Sequence, residues 1–209
     1  MAAVIAAFFL FFFMFSGYFA VRPVRETMGT IIGREKLADI WIITSIASVL
    51  LIPVYGAVVA RFRRSTFLPW AYGVVAIVLV GIGVSMQADT INLPVAKFFY
   101  VFISVVNLFM VSIFWSFLLE LFDRQQTKRL FGVIAAGGSA GALCGPLVSD
   151  LAVHTIGNSG VLFFGAFMFL LAIGFQRTLI IIWKPIASRN MKAPKNSTPL
   201  LPTDLTTRS

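Results

Sequence analysis

The chain has 209 residues, 59% hydrophobic and 12% charged, with a net charge of +9. That charged fraction is about half the roughly 25% of soluble domains, and with a mean hydropathy of +0.93 and 22 phenylalanines it excludes a soluble fold, which could not hide so much apolar surface from water. The basic excess lies in short loops and the tail, where a positive-inside bias accounts for it without nucleic acid. A single cysteine, Cys144, excludes an intrachain disulfide or a multi-cysteine metal site, and a single histidine, His154, argues against a His-based one. No metal and no cofactor are expected.

Taken in order, the chain reads as six apolar helices. The first covers 3–21. Its length and its lack of Lys or Arg before residue 22 distinguish it from a cleaved signal peptide. It ends in Arg22-Pro23-Val24-Arg25-Glu26, followed by a polar, glycine-containing linker to Leu37. The second covers 39–60, with Asp39 as N-cap and Pro53 as a kink, and ends at Arg61, Arg63 and Arg64. The third covers 67–86, and a polar turn from Gln87 to Pro94 leads to the fourth, 97–120. A charged hairpin loop, Phe122 to Leu130, joins it to the fifth, 131–150, and the sixth covers 160–183. Together they form a transmembrane bundle over 1–184. The remainder, 185–209, is rich in Pro, Ser, Thr, Lys and Asn and is expected to be a disordered tail or the start of a linker. With six crossings, 12 Lys and Arg residues fall on the side holding both termini and 5 on the other, which places both termini in the cytoplasm.

The fifth helix carries a repeat of small residues, Gly137, Gly141, Gly145 and Ser149, four apart. They share one face, along which another helix backbone can approach closely. Overlying it is a second spacing: Gly132, eight residues, Gly141, three residues, Gly145-Pro146. This spacing resembles the fifth-helix antiporter motif of the major facilitator superfamily. The resemblance implies a pliable packing hinge made by Gly132, Gly137, Gly141, Gly145 and Pro146. A wider resemblance rests on Arg22–Glu26 (RPVRE), Asn107–Phe117 (NLFMVSIFWSF) and Phe122–Gly141 (FDRQQTKRLFGVIAAGGSAG). These look like bacterial facilitator-type permeases grouped with ATP/ADP translocase-like nucleotide exchangers. Departures are Ser149 and Asp150 where the antiporter motif has glycines, Glu120 where the group has Asp, and Ala60 where the loop 2–3 motif has an acidic residue.

Candidate binding residues are Arg22, Arg25, Asn107, Trp115 and Glu120. Two guanidiniums a helical turn apart suit phosphate or carboxylate, which they bind bidentately; the competing reading is that both arginines snorkel to the interface, with Glu26 pairing Arg22. Ser104, Asn107, Ser112, Trp115 and Ser116 fall on one half of the fourth helix, which should face protein or a watery cavity rather than lipid. Trp115 could stack on a planar ligand. Glu120 could contact ligand, or pair with Arg124 or another loop charge.

The expected class is therefore an all-α polytopic membrane protein of six transmembrane helices, forming the N-terminal half of a facilitator-type transporter in the bacterial inner membrane. Its expected function is secondary transport of a small solute, anionic or nucleotide-like, by alternating access, with a second six-helix half or a second copy as partner. The rival class is a non-transporting membrane scaffold or subunit. A membrane enzyme ranks third, because no nucleophile lies beside a base and no aspartate-rich phosphotransferase pattern is present.

Overall fold

The computed structural model describes residues 2–88, 92–121 and 124–192 of the chain. Among them it is all-α, with five helices: α1 (Ala2–Ile32), α2 (Arg34–Arg61), α3 (Arg64–Gln87), α4 (Leu93–Leu121) and α5 (Arg124–Lys192). Each is long and apolar enough to cross a membrane. α5 consists of two helical limbs joined at Gly157, where φ is 69° and ψ is −179°. That backbone conformation ends a helix at little cost only for glycine.

Several boundaries differ from those the sequence predicts. α1 continues 11 residues past Val21, through Pro23. A proline removes one backbone donor and leaves the Phe19 carbonyl without its helical partner, which a helix in a membrane bundle tolerates; the Thr27 hydroxyl bonds its own helix at the Pro23 carbonyl, 3.2 Å away. The anticipated linker to Leu37 shrinks to a joint at Gly33, whose φ of 88° turns the chain directly into α2. Asp39 therefore lies inside α2 rather than capping it, and α2 runs unbroken through Pro53. At the start of α4 the Asn92 side chain accepts from the Val95 amide at 3.2 Å, the cap that the Gln87–Pro94 turn supplies. The expected connector between the fourth and fifth helices is helical from Arg124 onward, and α5 continues eight residues past Lys184 to Lys192. Residues 193–209, most of the anticipated tail, lie outside the described residues.

The core forms around α1. Phe11 stacks on Phe114 of α4, centroids 4.1 Å apart and nearly coplanar, and the buried Tyr72 hydroxyl of α3 donates to the Met14 sulfur at 2.6 Å. Both limbs of α5 also lie on α1. In the first limb Gly137, Gly141 and Gly145 meet Phe8, Phe12 and Ser16 in turn, so that limb runs parallel to α1. In the second, Gly165 lies against Gly17 and Val21 while Phe175 packs on Phe9 and Phe13, so that limb runs antiparallel and the chain reverses at Gly157. The fully buried Gln176 ties the second limb to α3, donating to the Ser65 carbonyl at 2.7 Å.

The small-residue face of α5 works by subtraction. A Cβ built on Gly137 would lie 2.5 Å from the Phe8 carbonyl oxygen, and one on Gly145 would lie 2.6 Å from that of Ser16. A Cβ on Gly141 would strike the Phe12 carbonyl oxygen and come within 3.0 Å of the Ser16 nitrogen. Ser149, on the same stripe, is buried. In lipid, where apolar burial does not draw helices together, such close approach is a main source of helix association. Gly132 has nothing within 4 Å of a built Cβ and is exposed, so it is not part of this seam; Pro146 is half-buried.

Candidate binding site

The opposite side of α1 is built differently. Between α1, α2 and α4 lies a pocket of about 420 Å³ lined by Arg25, Glu26, Trp41, Thr44, Ser45, Tyr100 and Ser104. Arg25 reaches it because α1 stays helical past Pro23, which turns the Arg25 side chain toward α4. There its Nη1 donates to the Ser104 hydroxyl at 3.0 Å, and its guanidinium carbon stands 5.0 Å from the centre of the Tyr100 ring. Ser104 passes the bond on to the Tyr100 carbonyl at 2.7 Å. The Tyr100 hydroxyl in turn accepts from the Trp41 indole N–H of α2 at 3.0 Å. Three helices thus hold one guanidinium in place. Arg25 Nη2 forms an ion pair with Glu26 Oε1.

Two polar atoms of this pocket are buried without a protein partner: Arg25 Nε and Thr44 Oγ1. A buried donor or acceptor left unsatisfied costs about 1–3 kcal/mol, and more when charged, so the pocket calls for a polar occupant. The depth of the site makes this sharper. Ser104 stands three residues, about 4.5 Å along the axis, from Asn107, the middle residue of α4. Arg25 itself stands eight residues, about 12 Å along the axis, from Gly17, the middle residue of α1. A charge at the centre of a membrane-spanning helix costs about 2.5–3.5 kcal/mol on insertion scales if it faces lipid, and less toward the interface.

The other residues singled out in the sequence disperse. Arg22 is exposed, stacks loosely over Phe19 at 5.9 Å and has no carboxylate partner among the described residues. Asn107 is exposed near the mid-level, on the open side of α4. Trp115 does not reach Arg25: it lies 11 residues, about 16 Å, further along α4, stacked on Phe131 at 4.7 Å and edge-on to Phe11 and Phe114. Phe131 stacks on its ring and so takes the place of a planar ligand on one face. Glu120 lies further still, beside Arg61 and Arg63 in a separate pocket of about 290 Å³ at the other end of the bundle. Ser112 bonds its own helix at the Leu108 carbonyl.

Sequence reasoning did not assign Trp41, Thr44 and Tyr100 to the site. Thr44 and Ser45 were visible as small polar residues on an apolar helix, the one signal that α2 contributes polar groups. Nothing in the sequence links Trp41 to Tyr100, 59 residues apart. Among the described residues no group of His, Cys, Asp and Glu could hold a metal ion. Searches against protein families, curated proteins and solved structures find no match to this chain.

Proposed function

We propose that this chain is one six-helix half of a facilitator-type secondary transporter, with the two limbs of α5 as its fifth and sixth crossings, and that the Arg25 pocket is its share of a binding site for a small anionic solute. The observation that carries this reading is a three-helix cradle around a guanidinium beside a pocket of about 420 Å³, with Arg25 Nε and Thr44 Oγ1 buried and without a protein partner. Solute sites in such transporters lie near the midplane between two halves that rock against each other. The exposed polar residues on this side, Arg22, Glu26 and Asn107, support the same reading, because lipid offers them no partner. So does α2, whose most apolar stretch has no buried residue and would receive a second half or a second copy. The 12-to-5 split of basic residues supports a bundle with both ends on the cytoplasmic side of a bacterial inner membrane. A scaffold needs none of this polar space.

Water access is the discriminating test. With Cys144 replaced by alanine, Thr44→Cys is expected to react with a membrane-impermeant thiol reagent in oriented vesicles, and saturating inorganic phosphate is expected to slow that reaction. A Thr44→Cys protein and a Ser45→Cys protein that both resist the reagent from both sides, while a control cysteine at exposed Thr30, outside the pocket, reacts, would remove the aqueous pocket and with it the transporter reading.

A further inference from the structure

We infer that Glu26 is a built-in surrogate for the ligand anion: it occupies Arg25 when the site is empty and must leave for an oxyanion to dock. This deepens the anion-site reading above and rests on it. A guanidinium offers carboxylate or phosphate two parallel donors along one edge, and the Nε–Nη2 edge is the one that approaches the ligand side-on. In this structure the two donors of that edge have different fates. Nη2 is taken by Glu26 Oε1, and Nε is buried with no partner. The remaining terminal nitrogen, Nη1, is committed to Ser104 and through it to the backbone of α4. The guanidinium is therefore fixed by α4 and Tyr100, with half of its docking edge buried and unpartnered and half covered by a neighbouring carboxylate.

The covering is suited to being removed. Glu26 follows Arg25 directly, and adjacent helical residues do not naturally face each other, so the pair forms by bending one side chain around the helix. The Glu26 side chain is 56% exposed, against 16% for Arg25, so the carboxylate is the mobile partner. It also has somewhere to go. Arg22 lies four residues before it, at the spacing where helical side chains meet, and has no carboxylate partner among the described residues. Swinging from Arg25 to Arg22 keeps Glu26 neutralised and frees Nη2, so that an incoming oxyanion engages Nε and Nη2 together and lies within the pocket that Thr44 lines. The number of charge pairs at the site is never reduced by more than one. An empty site is closed by its own carboxylate, and a filled site has two arginines balanced by one glutamate and one ligand charge. No bond is made or broken; the exchange is one of partners.

The competitor role makes a prediction opposite in sign to that of an ordinary contact. The probe is inorganic phosphate, titrated by calorimetry against the full chain in nanodiscs of zwitterionic lipid, so that no anionic headgroup competes. Wild type is expected to bind weakly. Glu26→Gln keeps the shape and removes the competing charge, and should bind about tenfold more tightly or better, the worth of one charge-assisted contact. Arg25→Gln should lose binding in either background. Three results would count against the idea in distinguishable ways. If wild type binds and Glu26→Gln binds equally or less tightly, Glu26 is no competitor, while the anion site stands. If Glu26→Gln binds tightly and adding Arg25→Gln does not weaken it, the gain arises elsewhere and the surrogate pairing fails. If neither wild type nor Glu26→Gln binds phosphate, although both are folded by thermal scan, the anion site and the surrogate fall together.

Discussion

The two sides of α1 meet their neighbours in opposite ways. Toward α5 the helix offers its own backbone: carbonyls of Phe8, Phe12 and Ser16 lie where the Cβ atoms of Gly137, Gly141 and Gly145 would be. Toward α2 and α4 it offers long polar side chains, and a space of about 420 Å³ remains between the helices. The first side holds without bonds between side chains, by dispersion over a tight fit that lipid cannot match. The second is held by a relay of hydrogen bonds and ring contacts, from Trp41 to Tyr100 to Arg25 to Ser104, that leaves donors over. One helix thus serves as a fixed spar on one side and a binding wall on the other. What separates the two roles is whether side chains or their absence fill the gap.

That contrast can be broken most severely at the seam. Gly141→Leu should prevent recovery of folded protein, since its Cβ alone collides with the backbone of α1 and overpacking a tight contact commonly costs about 1–3 kcal/mol even where neighbours can yield. Gly145→Leu should behave alike. Ala142→Leu, on a half-buried position beside the seam, should fold and melt close to wild type. Size-exclusion recovery and thermal scans of the three in one detergent check this, and equal stability would dissolve the seam.

On the pocket side the expected effect is on binding, with folding largely kept. Arg25→Ala should weaken anion binding by about tenfold to a hundredfold, the worth of roughly 1.5–3 kcal/mol for a charge-assisted contact. Arg25→Lys should recover only part of it, since an ammonium keeps the charge but loses the fork. Phosphate titration of both variants is the measurement, with melting temperature as a control for folding.

The smallest effect sharpens where the seam ends. Gly132→Ala should be neutral or stabilising by up to about 1 kcal/mol, because alanine is the better helix former and nothing lies near a Cβ there. A large loss of stability in a thermal scan would place Gly132 in a packed role after all, as the antiporter-like spacing implies for it.

The seam was legible in the sequence because its signal is local: a four-residue recurrence of small side chains on an apolar helix needs no knowledge of the partner. The identity of that partner was not legible, and neither was its use of both limbs of α5. The end of α1 misled for a physical reason. Arg22-Pro23 has the composition of a break, since proline disfavours helical geometry just before it, yet α1 runs on to Ile32 with Val24, Met28 and Ile32 buried against the rest of the fold. Arg25 was legible as a cation out of place. Its cradle was not, because Trp41, Thr44, Tyr100 and Ser104 come from two further helices whose register no local pattern reveals. Trp115 shows the converse failure. A tryptophan on the polar half of α4 invited a ligand, yet Phe131 takes its ring face.

The seam also sets an order of events during synthesis. Phe8 is made near the start of the chain, but the glycine that receives it, Gly137, emerges about 130 residues later, on the order of ten seconds at 5–20 residues per second. Through that interval α1 stands in the bilayer with its carbonyl-lined face against lipid and two arginines on the other. The neighbouring Glu26 is the first carboxylate made that could offset them, since residues 2–25 contain no Asp or Glu. This face of α1 is in this way enclosed late, and a ribosome that stalls anywhere before Gly137 leaves behind a nascent chain in which the carbonyl-lined face of α1 has no mate.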